Sequence, residues 1–441
     1  MNNTMTIFDY LYPKYKITKP IRLIEFFAGY GSQALALKYL GVEFEHWKIC
    51  EWAVKSIQAY KDIHFIYYDI NYSRFMTKKD LIEKLFDLGI SSNYNEQMTK
   101  QQITKLNEEL LRKIWNNIKV TNNLVNIQKV KGKDLEIVDT DKYDYILTYS
   151  FPCQDLSLAG KGKGMSDTST RSGMLWEVER ILSECYELGT MPQILLMENV
   201  PQVHSQDNLE DFNKWKYRLE ELGYKNYFQD LIATDYGIPQ TRNRCFMISI
   251  LGDYSYTFPK PIKLEKKLKD LLEDNVDEKY YLSDKQIKDI QNWNAYEKPL
   301  ENMEKIDKSN ISPTLTTRSG AYAAGMILVK NATKKGYLEA TPGDGIDISS
   351  RMEHHRGTVQ KGKTQTLTTS GGENNGVLTT DLRIRKLTPR EAFRLMGVKD
   401  EDYEKCVKNQ SNASLYHLAG DSIVVNVLMA IFKELLWQKK Q

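Results

Sequence analysis

The sequence is short of cysteine. Five are spread over 441 residues, Cys50, Cys153, Cys185, Cys245 and Cys406, and none forms a C-x-x-C pair. An odd number at wide spacings argues against a disulfide framework or a zinc ribbon, and a reducing cytoplasm is the expected compartment. Long apolar runs are missing too. The best, VVNVLMAIF, falls far short of the ~20 residues of a membrane span. The stretch MNNTMTIFDYLYPKYK lacks a signal-peptide core. A charge excess is also absent: 61 Lys+Arg against 58 Asp+Glu leaves +3. So small a balance does not mark nucleic-acid binding, and any basic surface must be local. The hydrophobic share of 41% and charged share of 27% are ordinary for a globular chain. The length predicts more than one domain at roughly 100–200 residues each.

Along the chain, strand and helix character alternate from the start. IRLIEFF reads as a strand and AGYGSQALALKYLG as a glycine turn running into a helix that Gly41 ends. FEHWKICEW, AVKSIQAYKDI and FIYYDI continue as strand, helix and third strand. Such alternation predicts a parallel sheet covered on both faces. Residues 71–133 break the rhythm with two helical patterns. One runs from an N-cap at Thr77 to Gly89. The other opens on the capping box Thr99 to Gln102 and carries an apolar face from Ile103 to Ile118. They are read as a helical insertion. YDYILTY, MPQILLMENV, the helix around DFNKWKYRLEELG, and RCFMISIL restore the alternation. From about 256 the texture changes. KPIKLEKKLKDLLED is expected to be helical, and two Thr/Ser/Gly-rich stretches share T-L-T-T cores at Thr314–Thr317 and Thr366–Thr369. After Arg385 come RKLTPREAFRLMG and AGDSIVVNVLMAIFKELL, the latter read as one long amphipathic helix. The expected organisation is a catalytic domain over 1–255, a second domain inserted at 256–384, and a segment 385–441 that completes the first.

The chemistry-bearing residues fall at strand ends. In FFAGYGSQALAL, Gly29 and Gly31 would bring backbone amides close to a ligand at a helix start. Glu51 follows Gly31 by twenty positions, where a carboxylate meets ribose hydroxyls in nucleotide folds. Trp52 would stack on adenine and Asp69 accept from its amino group. Together these point to an adenosine-containing ligand. A nicotinamide cofactor would use the same layout, and this turn alone does not decide between them. Cys153 follows a strand, stiffened by Pro152, on the face where open sheets bind ligands. Most lone cysteines are small buried hydrophobes; this one precedes a Gly, Ser and Lys-rich loop suited to closing over a ligand. In that loop Lys161, Lys163 and Arg171 would meet phosphate and favour the thiolate. Glu198 in MENVP would hold a proton at a ring nitrogen, and Arg242 and Arg244 alternate in QTRNR.

The ordered set FFAGYG, EW, DI, PCQ, ENV, QTRNR, RKLTPREAFRLMG and AGDSI resembles the DNA (cytosine-5)-methyltransferases, bacterial or phage type, over nearly the whole chain. The resemblance implies a Rossmann-like α/β methyltransferase fold that depends on S-adenosylmethionine, with a smaller target-recognition domain inserted before RKLTPRE. It implies that Phe27, Gly29, Gly31, Glu51, Trp52, Asp69, Pro152, Gly420 and Ser422 surround the cofactor. Cys153 would attack carbon 6 of a flipped cytosine. Glu198 would contact nitrogen 3 and Arg244 the carbonyl oxygen, while Arg242 would help position the DNA. Gln154, Lys161, Lys163 and Arg171 would face the DNA. Double-stranded DNA is the implied partner, with a cognate restriction endonuclease acting separately, a monomeric state, no metal and no membrane.

The family's last motif often has asparagine where this chain has Asp421, and the interval from Asp69 to Pro152 is long for the family. A transfer-RNA cytosine methyltransferase shares the P-C-Q core, but its C-F-T signature is absent, since Met247 follows Cys245-Phe246. A DNA-binding protein without catalysis would not need Cys153, Glu198 and Arg244 together. A nicotinamide oxidoreductase leaves QTRNR and the inserted domain unexplained.

Overall fold

A six-stranded sheet in the order β2-β1-β3-β4-β6-β5 carries the larger part of the molecule. Its strands are β1 (Ile21–Phe26), β2 (Phe44–Cys50), β3 (Asp144–Tyr149), β4 (Ile194–Asn199), β5 (Tyr224–Ile232) and β6 (Asn243–Leu251). The computed structural model describes residues 13–68, 70–152, 173–284, 286–287, 326–349, 357–369 and 374–436. Strands β1, β3 and β4 are buried along their whole length, as a sheet covered on both faces requires. In β1, Ile21 and Leu23 enter one core cluster while Ile24 and Phe26 enter the other, following the period of two.

The sheet is not wholly parallel. β6 runs antiparallel to both β4 and β5, so the expectation of a parallel sheet fails at one strand. The reversal matters for placement. It brings the start of β6, with Arg244, to the edge where β1 to β4 end.

Helices α1 (Ser32–Tyr39), α2 (Val54–His64), α6 (Met174–Leu188) and α7 (Leu209–Glu221) cover the faces. The insertion supplies α3 (Lys78–Leu88), α4 (Lys100–Thr104) and α5 (Glu108–Val120). Thr77 and Asp80 form a capping box at its start and Gly89 closes α3 in the left-handed region. The second helical pattern divides in two. Thr99 and Gln102 cap α4, and Asn107 caps a fresh start at α5. Ile103, Leu111, Ile114 and Ile118 are buried against Leu81 and Leu85 of α3, in a core of the insertion's own that also takes in Ile57.

Two further expectations change. FIYYDI does not form a strand. Residues 65–68 are turn and coil, Tyr68 and Ile70 are exposed, and Asp69 lies outside the described residues. The place beside β2 is taken by residues 122–124, far along the chain: Ile49 bridges Asn123 in parallel, and Leu124 N donates to Ile49 O at 2.8 Å. KPIKLEKKLKDLLED is irregular apart from a single 3-10 turn at Leu268–Leu271.

A smaller β unit follows, with strands β7 (Ile327–Lys330), β8 (Tyr337–Ala340), β9 (Gly345–Asp347), β10 (Val359–Gln360), β11 (Asn375–Leu378) and β12 (Ile384–Lys386). β10-β9-β11-β12 make one sheet and β7-β8 a ribbon, around a core of Ile327, Val329, Ile346, Leu378 and Ile384. Its first T-L-T-T core, at 314–317, lies outside the described residues. The chain then returns through α8 (Pro389–Leu395), α9 (Asp400–Val407), α10 (Asn412–Asp421) and α11 (Val425–Leu435). The expected single C-terminal helix is two, broken at Ser422–Val424, and α11 packs on α1.

At the return point Arg385 and Glu391 form a bidentate pair at 2.8 and 2.7 Å, with side chains 3% and 1% exposed. Glu391 also accepts from Thr388 N and Glu273 N, both at 2.8 Å. Removing one partner of such a pair strands a buried charge. Glu391→Ala is expected to cost about 3–5 kcal/mol, read as a lowered denaturation midpoint; a change below about 1 kcal/mol would show that this junction carries no such weight.

Candidate active site

At the carboxyl edge of the sheet lies a cavity of about 730 Å³. Open α/β sheets bind ligands at this edge. Phe27, Gly29, Glu51, Trp52, Pro152, Glu198, Arg242, Arg244, Gly420 and Ser422 all line it. Thus ten residues expected from sequence converge on one cavity.

The turn after β1 is built from left-handed residues: Phe27 at φ 57, Gly29 at φ 55 and Gly31 at φ 83. Such a φ is uncommon for a phenylalanine, and strain of this kind clusters at functional sites. The amides are not left free as expected. Gly29 N donates to Glu51 Oε2 at 2.9 Å, and Gly31 N to Ala28 O at 2.8 Å. Gly31 is not on the cavity wall. A Cβ there would meet His64 Nε2 at 2.4 Å and Tyr60 Cε2 at 2.6 Å, so its small size serves packing beneath the turn.

Glu51 is held on both oxygens. Oε1 accepts from Ala53 N at 2.7 Å and Oε2 from Gly29 N, while Asn123 braces its backbone from both sides. Burial nevertheless pushes the carboxyl up to about 7, against the pull of those amides, and nearby Asp421 adds to the rise. Glu51 lines the cavity.

Glu198 lies at the end of β4, 6% exposed, with Oε1 3.2 Å from Arg244 Nε but in no aligned hydrogen bond. Burial pushes its carboxyl up; the charges of Arg244 and Arg242 oppose this. Arg244 also donates to Asn243 O at 2.7 Å. Arg242 departs from expectation. It is 4% exposed, and its guanidinium donates to Leu367 O at 3.0 Å, Gly420 O at 3.0 Å and Ser422 O at 2.7 Å. A side chain so enclosed fixes the cavity wall and does not reach out to a duplex.

Pro152 is on the wall, and Asn199 Nδ2 donates to Phe151 O at 3.0 Å, fixing the chain there. Cys153, Gln154, Lys161, Lys163 and Arg171 follow in sequence and lie outside the described residues.

Several wall residues were not anticipated. Residues 125–128 line the cavity because 122–124 take the third-strand position. The second T-L-T-T core, Thr366–Thr369, forms part of the wall. Gly420 permits its approach: a Cβ there would sit 2.3 Å from Thr368 C and O. Gln240 secures the same stretch, accepting from Leu367 N at 3.1 Å and donating to Leu395 O at 2.8 Å. The insertion contributes Tyr94–Gln97, and α10 contributes His417 and Asp421. Elsewhere the fold gathers His204, Asp230 and Cys245 within 4.8 Å, a grouping that no sequence spacing announces. His204 Nε2 is 2.9 Å from Asp230 Oδ1, so that pair already satisfies each other.

Known proteins are similar to this chain over most of its length. The family profile described as C-5 cytosine-specific DNA methylase matches residues 84–437. The type II methyltransferase M2.ScrFI of Lactococcus lactis subsp. cremoris is 33% identical over 419 residues, covering 94% of this chain and 99% of that protein. The orphan methyltransferase M.SssI of Spiroplasma monobiae is 31% identical over 426 residues, covering 95% and 98%. Among solved structures, the methyltransferase EhMeth of Entamoeba histolytica superposes with a TM-score of 0.54 at 13% identity, over 95% of this chain and 98% of that one, a likeness of fold. The chain belongs to the C-5 cytosine-specific DNA methylase family and is a DNA cytosine-5 methyltransferase.

Proposed function

We propose that the cavity holds S-adenosylmethionine at its Glu51 end and a cytosine flipped from duplex DNA at its Glu198 end, with Cys153 as the covalent nucleophile. The observation that carries this reading is one continuous cavity with Glu51 and Trp52 on one part of its wall and Pro152, Glu198 and Arg244 on another. The residues fit such a cofactor: a carboxylate clamped by two backbone amides presents acceptors to ribose hydroxyls, and Trp52 offers a ring face to adenine. When bound, S-adenosylmethionine supplies an electrophilic methyl group. Asn126, whose carboxamide carries both donors and an acceptor, takes the adenine-edge role first assigned to Asp69.

The protein's own residues do the rest. Carbon 5 of cytosine is a weak nucleophile, and its atoms are shielded inside a duplex, so the base must leave the stack. Addition of the Cys153 thiolate to carbon 6 pushes electron density onto carbon 5. Burial pushes the Glu198 carboxyl up, which favours its placing a proton at nitrogen 3 to offset the charge that develops in the ring. Arg244 orients Glu198 and meets the carbonyl oxygen. Loss of the carbon 5 proton re-forms the ring double bond and expels the cysteine. Arg242 acts as a positioning residue. The β unit within 256–384 is the reader of the target sequence. Lys161, Lys163, Arg171 and Gln154 contact the DNA. The enzyme works as a monomer in the cytoplasm of a bacterium or phage-infected cell, and any restriction endonuclease acts separately.

Cys153→Ala is expected to abolish 5-methylcytosine on plasmid DNA while binding of S-adenosylhomocysteine persists; methylation by that variant overturns the mechanism. In calorimetry, Asn126→Ala should weaken S-adenosylhomocysteine about tenfold, the worth of one good hydrogen bond, whereas Asp69→Ala should leave it unchanged. The reverse pattern would restore Asp69. Ligand hydroxyls favour the Glu51 carboxylate, so binding releases its proton. Affinity should therefore be level above about pH 7 and fall as pH drops below about 7, approaching tenfold per unit. Glu51→Gln should flatten that profile, and an unchanged slope would remove Glu51 from the ribose.

A further inference from the structure

The insertion has a role that its sequence does not declare. Its turn between α3 and α4 is strapped to the site: Ser91 N donates to Trp52 O at 2.8 Å and Val54 N to Ser91 O at 2.9 Å. At its tip Tyr94 adopts φ 65. The Tyr94 ring stacks on His417 of α10, with centroids 3.9 Å apart and planes 16° from parallel. Both residues line the cavity. In this pair His417 Nδ1 is buried with no hydrogen-bond partner, and Tyr94 Oη has only the Ser56 and Ser414 hydroxyls beside it. A buried polar atom left unpaired is costly, which points to a ligand at this pair.

Asp421 indicates which part of the ligand. It lies one helical turn beyond His417 and lines the same cavity. Its charge acts on both Glu51 and Glu198, so it stands where the nucleoside end and the base end meet. Tyr94 likewise lies within electrostatic reach of Glu51 and Asp421. In the cofactor reading, that junction holds the sulfur, from which the amino-acid arm must branch. The arm is a zwitterion with a carboxylate that needs donors and an ammonium that needs an anion.

We propose that the insertion's turn and α10 form a clamp for the amino-acid arm of the cofactor: Tyr94 Oη and His417 Nδ1 donate to the carboxylate, and Asp421 accepts from the ammonium. The clamp rests on the S-adenosylmethionine reading above. Burial keeps the imidazole neutral against the pull of Asp421, so the clamp requires the tautomer with its proton on Nδ1. This assigns the insertion a share in cofactor specificity. It also places a chain-specific use on Asp421, where a neutral asparagine is frequent in the family.

The test compares two probes in calorimetry with the full chain: S-adenosylhomocysteine, which carries the arm, and 5′-methylthioadenosine, which lacks it. Tyr94→Phe and His417→Phe keep both rings and so the stack, and each removes one donor. Each should weaken S-adenosylhomocysteine about tenfold and leave methylthioadenosine unchanged. Asp421→Asn should act in the same direction. Equal losses for both probes would make the pair a structural wall and overturn the clamp, as would no loss for either. If the wild-type chain binds neither probe, the cofactor reading itself fails.

Discussion

The site depends on one buried guanidinium. Arg242 donates to the carbonyls of Leu367, Gly420 and Ser422, which belong to the stretch between β10 and β11 of the small β unit and to the end of α10. Burying a cation is costly unless its hydrogen bonds are replaced, and backbone carbonyls at three points replace them. The carbonyls in turn are satisfied only while those segments converge. This mutual dependence joins β6 to chain more than a hundred residues further on and closes the cavity wall. Gly420 is the steric counterpart: only hydrogen in place of a side chain lets Thr368 approach there. The exposed alternative, an arginine on DNA, is incompatible with this arrangement.

The reversal of β6 has the same logic. A parallel strand would deliver its carboxyl end to the binding edge and leave the QTRNR segment at the opposite side of the sheet. Pairing antiparallel with β4, with Glu198 opposite Phe246, brings Arg244 within 3.2 Å of the glutamate. The acid and its counter-charge come from strands that are neighbours in space because one of them runs backwards. Burial pushes the glutamate carboxyl up, while the arginine limits how far burial can raise it.

Much of this was legible in the residues. Strand ends at Phe26, Cys50, Tyr149 and Asn199 follow from short apolar runs, and the turn chemistry at Thr77 and Gly89 is local enough to read directly. Glu51, Trp52, Pro152, Glu198 and Arg244 follow from their place at those ends. Strand direction was not legible, because an apolar run has the same composition either way. Nor was the third strand position. FIYYDI is apolar and β-branched enough to suggest a strand, but Tyr68 and Ile70 are exposed, and residues 122–124 supply the pairing instead. Propensity gives way to which segment the insertion's core can deliver beside β2. Nor was the place of Thr366–Thr369 legible: small, polar residues suit a wall pressed against Gly420 as well as an outer surface.

The insertion is thus more than an appendage to the sheet. Its hydrophobic core fixes two of its segments: the inner turn at Ser91 is bonded to Trp52, and residues 122–124 near its end are laid along β2. The turn and the residues after 124 contribute to the cavity wall that Glu51 also lines. The glutamate's backbone is braced by Asn123 of the insertion, while its carboxyl is clamped by the first turn of the sheet. Carboxyls at 51, 198 and 421 then share a cavity in which burial and mutual repulsion raise the first two. Two arginines also reach that cavity, one committed to backbone carbonyls and the other to Glu198 and its neighbour's carbonyl. Such a cavity favours a ligand that brings hydroxyl donors and positive charge, since each relieves a cost the empty fold already carries. The electrostatics that push the Glu198 carboxyl up and those that favour a positively charged ligand therefore have a common source in the depth of the cleft.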